Sequence, residues 1–88
     1  MASKTIYSAE YRRLVHQLRA RREELGMTQV TLSAQLGWPQ QRLSAIETGA
    51  RRLDVLEFLY LAASLDLTPE AAIEMAIDAS RMKGKKSQ

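Results

Sequence analysis

Apolar residues recur at three- and four-residue steps through most of the chain, and short polar or glycine breaks interrupt them. That spacing marks helices that each bury one stripe. Ser8 is a good N-cap, and Tyr11, Leu14, Val15, Leu18 and Leu25 follow it as a first helix that Gly26 ends. Thr28 caps a second helix, with Val30, Leu32 and Leu36 on its buried side and Gly37 as its stop. Trp38-Pro39 is a boundary, because proline disfavours helix in the residue before it yet fits a first turn. The third helix runs from Pro39, turns Leu43 and Ile46 inward and ends at Gly49. Asp54 caps a fourth, from Val55 to about Leu65, whose stripe is Val55, Phe58, Leu59, Ala62 and Leu65. Thr68-Pro69-Glu70 starts a fifth, which runs to about Met82 with Ala72, Ile73, Ala76 and Ile77 as its apolar face. Strand character is confined to Thr5-Ile6-Tyr7. The pattern predicts an all-α domain of five short helices over residues 8–82, preceded by an extension over 1–7 and followed by a disordered basic tail over 83–88.

Composition narrows the function. The 88 residues suffice for one small domain with its own core. No apolar run approaches the about 20 residues that span a bilayer, and none resembles a secretory leader, so no membrane partner and a cytoplasmic location are expected. With no cysteine and a single histidine, His16, neither a disulfide framework, a metal cluster nor a cofactor is expected. No Ser/His/acid set and no phosphate-binding glycine loop is present, which argues against an enzyme.

Charge adds a direction. Residues 1–52 carry nine Lys/Arg against four Glu, a balance of +5. Residues 53–82 carry Arg81 against six acids, a balance of −5, before Lys83, Lys85 and Lys86. A basic half beside an acidic half suits a protein that meets a polyanion on one side only.

The second and third helices are separated by about three residues around Gly37, the arrangement of a helix-turn-helix. Leu32, Leu36, Leu43 and Ile46 would hold the two helices at a fixed angle, so that the second can enter a major groove. The wider pattern adds specificity. Residues Leu18-Arg19-Ala20-Arg21-Arg22-Glu23-Glu24-Leu25-Gly26-Met27-Thr28-Gln29 resemble the start of the lambda-repressor-like, or XRE-type, DNA-binding family. The resemblance continues through Leu32-Ser33-Ala34-Gln35-Leu36-Gly37 and Gln40-Gln41-Arg42-Leu43-Ser44-Ala45-Ile46-Glu47-Thr48-Gly49, and Leu65-Asp66-Leu67 fits as well. It covers about residues 8–80. Pro39, Thr48 and Leu53 depart from it, standing where the family often has a small polar residue, an asparagine and a proline.

The resemblance implies a sequence-specific regulator of transcription, most often a repressor, with double-stranded DNA as partner and a bacterial or phage origin. It places the first turn of helix three against the groove. Gln40 and Gln41 fall there, and glutamine can give adenine a bidentate pair at N6 and N7. Arg42 could reach a phosphate or a guanine edge, and the Ala45 methyl could meet a thymine methyl. Gln29 would bond a phosphate and brace Gln40, with Thr28 and Ser44 beside the same backbone. Arg51 and Arg52 fall in the loop where members of the family contact phosphates. Arg22 and Glu47 match a family pair read as a partly buried ion pair that holds helix three. Trp38 is expected to pack over the junction of helices two and three.

Leu56, Tyr60, Met75, Ala79 and Met82 exceed what one stripe per helix needs. Such a surplus either wraps the core or forms a dimer patch; since the family usually dimerises near its C-terminal helices, these five are assigned to a homodimer interface reading a palindromic operator. The alternatives are an antitoxin, whose main partner is a toxin protein, and a restriction–modification controller. Only seven residues precede the first helix and six follow Met82, which favours the plain regulator or the controller.

Overall fold

The computed structural model describes residues 8–86, and side chains as far as residue 81. Thr5-Ile6-Tyr7 lies outside the described residues. Helix α1 spans Ala9–Glu24, α2 Gln29–Leu36, α3 Gln40–Glu47, α4 Val55–Ser64 and α5 Pro69–Lys86. Their starts are set by side chains that satisfy otherwise unpaired amides. Ser8 Oγ accepts from the Tyr11 amide at 3.1 Å, and Thr28 Oγ1 from the Thr31 amide at 3.0 Å. Thr68 Oγ1 does the same for Ala71 at 3.0 Å, directly before Pro69. Asp54 goes further. Its Oδ1 accepts from the Glu57 amide at 2.7 Å while Glu57 Oε1 accepts from the Asp54 amide at 3.1 Å, closing a reciprocal capping box. Pro39 stands just outside α3 as its N-cap, with no side-chain bond to offer.

The first four helices end alike, in a left-handed residue that lets two amides double back onto the last turn. Gly37 does this between α2 and α3 at φ 73°: its amide donates to Ala34 and that of Trp38 to Ser33. After α4 the same position falls to Asp66, at φ 62°. There Arg21 reaches across from α1, its Nε donating to the Leu65 carbonyl at 2.9 Å. A guanidinium at a helix C-terminus also complements the partial negative charge there.

Val15 and Leu18 from α1, Leu32 from α2, Leu43 and Ile46 from α3, and Leu61 and Leu65 from α4 form one buried cluster. Tyr11, Leu14, Leu36, Trp38, Phe58 and Met75 pack around it. Helix α1 lies against α3 and α5, α2 against α3 and α4, and α4 against α5.

Several expected inward positions face out. Val30 and Val55, in the first turns of α2 and α4, are exposed, and Leu25, the cap of α1, is 39% exposed. In α5 half of the expected stripe holds, Ala72 and Ala76, and the two isoleucines do not. Ile73 and Ile77 face solvent, and Ala72, Met75, Ala76 and Ala79 turn toward the core. Steps of three and four residues place 72, 75, 76 and 79 on one face, about 130° from 73 and 77. Small residues on that face let α5 approach α1 closely, and close packing outweighs the larger transfer gain of the isoleucines. Assigning Ala79 and Met75 to a dimer surface is thereby corrected: Ala79 is 2% exposed within one protomer, and Met75 packs on its core. The helix also continues past Met82 to Lys86. The Met82 side chain lies outside the described ones.

Candidate nucleic-acid interface

The Leu32, Leu43 and Ile46 side chains, all within 1% of full burial, form the seam that fixes α3 relative to α2. With its inner face committed to that seam, α3 presents Gln40 and Gln41 to solvent from its first turn. Ser44 and Ala45, one turn on, are half-buried and leave the surface low.

A polar chain runs behind this turn. Arg22 of α1 meets Glu47 of α3 bidentately, Nε to Oε2 at 2.7 Å and Nη2 to Oε1 at 3.0 Å. Its remaining arm donates to the Met27 carbonyl at 2.7 Å. The two side chains are 9% and 4% exposed, so the expected ion pair is present and buried. The hydrogen bonds to Glu47 push the Arg22 guanidinium above its ordinary pKa, against desolvation and with further help from the charges of Glu47 and Glu23. Glu47 Oε1 also accepts from Gln29 Nε2 at 2.9 Å, and Gln29 Oε1 accepts from Gln40 Nε2 at 3.2 Å. The expected Gln29–Gln40 brace is thus one link of a longer chain, Arg22–Glu47–Gln29–Gln40. The ion pair therefore sets the position of an exposed side chain as well as that of the helix.

The loop after α3 is tied down by Tyr11. The phenol donates to the Arg51 carbonyl at 2.7 Å and accepts from the Leu53 amide at 2.9 Å. Gly49 opens this loop at φ 82°, a left-handed conformation that favours glycine, and a Cβ there would press on the Arg12 side chain, 3.2 Å from its Cγ. Arg52 and Thr28 are exposed, Arg51 half-buried. Arg42 lies over the Trp38 ring, 5.2 Å from its centre, and Trp38 packs on the core as expected.

One centre was missed from the sequence. Glu57 receives Arg51 Nη1 at 3.3 Å from both carboxylate oxygens and lies 3.8 Å from Arg42 Nη1. The capping-box spacing from Asp54 was the available signal for its orientation. His16 is exposed, and no helix among the described residues is long and apolar enough to cross a membrane.

A helix-turn-helix family model matches residues 18–71, more than half of the chain. Among solved structures, the chain is similar to the restriction-modification controller protein C.AhdI from Aeromonas hydrophila. The identity is 27% and the TM-score 0.66, over 75% of this chain and 98% of that one. No curated protein matches it.

Proposed function

Since the chain belongs to the helix-turn-helix family and is a DNA-binding regulator of transcription, we propose that it acts as a dimeric repressor that reads a two-fold symmetric operator through the major groove. Residues 8–82 act as one DNA-binding unit. Gln40, Gln41, Arg42 and Ala45 meet base edges, and Thr28, Gln29, Ser44, Arg51 and Arg52 meet phosphates. The observation that carries this reading is the pair Gln40 and Gln41, exposed together on the first turn of a helix whose opposite face is fully buried, with Gln40 held by Gln29. A preoriented amide loses less freedom on meeting a base than a free one.

Dimerisation rests on the apolar side chains left outside the core among the described residues: Leu56 and Tyr60 on α4, together with Ile73 and Ile77 on α5. They are a reason for a second copy to bind, since burying exposed apolar area is favourable. Within the regulator class the similarity to C.AhdI favours service as a restriction–modification controller.

The test is selection of an operator from mixed-sequence DNA, followed by binding of variants. Gln41→Ala removes about 1–3 kcal/mol of discrimination at one position per half-site and leaves the salt slope unchanged. Arg52→Ala lowers affinity for every sequence alike and flattens the slope by about one. Reversal of these two outcomes would exchange the reader and the anchor. Should neither variant alter binding, the fold serves a protein partner such as a toxin instead.

A further inference from the structure

Glu57 stands at the third position of α4, where its amide and its Oε1 are both engaged by the capping box with Asp54. Its side chain is 16% exposed. Onto this carboxylate converge an arginine from the proposed reading helix, Arg42, and one from the loop behind it, Arg51. Both arginines are assigned above to DNA, and both meet an anion of this chain first. A carboxylate offers the same paired oxygens to a guanidinium fork as a phosphate does. The pair is also only partly desolvated, with the Arg51 side chain 40% exposed. Such a contact is weak enough to exchange.

We propose that Glu57 determines specificity by standing in for phosphate: it holds Arg51 and Arg42 on the protein in complexes with mixed sequence, and only at the operator releases Arg51 to the DNA backbone and Arg42 to the base edges. The inference rests on the DNA-binding reading above. On a mixed sequence no base contact seats α3, the nearest phosphates stay too far to compete, and the two arginines contribute little. At the operator the seated helix brings phosphate within reach, and the exchange proceeds. Non-specific affinity is thereby held down without loss of the phosphate contact at the correct site.

The readout is the salt dependence. One phosphate contact contributes a slope of about −0.9, which is worth about eightfold at 0.1 M salt relative to 1 M and about threefold at 0.3 M. Glu57→Gln keeps an oxygen for the Asp54 amide and removes only the charge. On a mixed-sequence duplex, where the freed Arg51 gains one phosphate and Arg42 finds no matching base edge, this variant binds about eightfold more tightly than wild type at 0.1 M salt, with a slope steeper by about one. Its slope on the operator selected in vitro stays as in wild type, so the operator preference falls. Arg51→Gln supplies the second arm. With Glu57 present it weakens operator binding and leaves the mixed duplex unaffected; in the Glu57→Gln background it removes most of the gain.

An unchanged mixed-duplex affinity and slope in Glu57→Gln, or a gain that survives Arg51→Gln combined with Arg42→Gln, would overturn the inference while leaving DNA binding intact. A wild-type chain that binds no duplex at all would overturn it together with the function on which it rests.

Discussion

Replacing Arg22 by alanine should destabilise the fold far more than it alters contact with any one base. The guanidinium makes three short hydrogen bonds, two to Glu47 and one to the Met27 carbonyl, in a site where both charged side chains are nearly sealed from water. Alanine leaves the Glu47 carboxylate with Gln29 as its remaining neutral donor. Stranding one charge of a buried pair costs about 3–5 kcal/mol. At about 0.05–0.15 kcal/mol per residue the whole 88-residue chain is worth about 4–13 kcal/mol, so the loss is a large share of it. With a urea slope of about 1 kcal/mol per molar for so small a domain, the midpoint falls by about 3 M or more.

The assay is urea unfolding followed by circular dichroism, alongside binding to base-substituted operators. The partner experiment removes both charges. Arg22→Met combined with Glu47→Leu leaves no orphan charge, and such replacements are neutral or stabilising by about 1–4 kcal/mol. That double variant nevertheless takes away the acceptor that holds Gln29, and through it Gln40. It should therefore be stable and discriminate less well at the base that Gln40 meets. An unchanged midpoint for Arg22→Ala, accompanied by relaxed base preference, would refute the reasoning and make Arg22 a direct reader.

Leu32→Ala, at the centre of the seam between α2 and α3, should cost about 2–5 kcal/mol by urea unfolding, whereas Val30→Ala two residues away should stay within about 0.5 kcal/mol. Tyr11→Phe removes the hydroxyl that pins the Arg51–Leu53 loop and should cost about 1 kcal/mol, with faster hydrogen exchange at the Leu53 amide. Wild-type protein at micromolar concentration should sediment as a dimer, and Leu56→Asp with Tyr60→Asp should give a folded monomer; a wild type that stays monomeric both free and on DNA would end the dimer argument.

The helices and their ends were legible because their causes are local. Ser8, Thr28, Asp54 and Thr68 cap amides three residues on, and Gly26, Gly37 and Gly49 take the left-handed residue that a helix end requires. Which face of α5 turns inward is not local. Hydropathy ranks Ile73 and Ile77 above Ala76 and Ala79, but the distance between α1 and α5 is set by what both helices can tolerate at their contact. A periodicity argument locates a stripe within one helix and holds no information on the partner's shape. Val30 and Val55 mislead for a related reason: each lies in a first turn, where the chain has just entered the helix and its outer side is open to water.

The same distinction divides the candidate site. Arg22 with Glu47, and Gln29 with Gln40, were paired through resemblance, but their joining into one chain depends on Glu47 offering one oxygen to two donors. Glu57 is the harder case. Asp54 and Glu57 carry a capping-box spacing, which fixes the carboxylate over the first turn of α4. That Arg42 and Arg51 arrive at the same carboxylate follows only once α3 has been seated by Leu43 and Ile46, and the loop by Tyr11. The apolar seam and the phenol decide which charges meet. Arginines read from the sequence as open to a phosphate are, in the folded chain, already opposite an anion, and so their contribution to DNA binding is a difference between two partners rather than the gain from one.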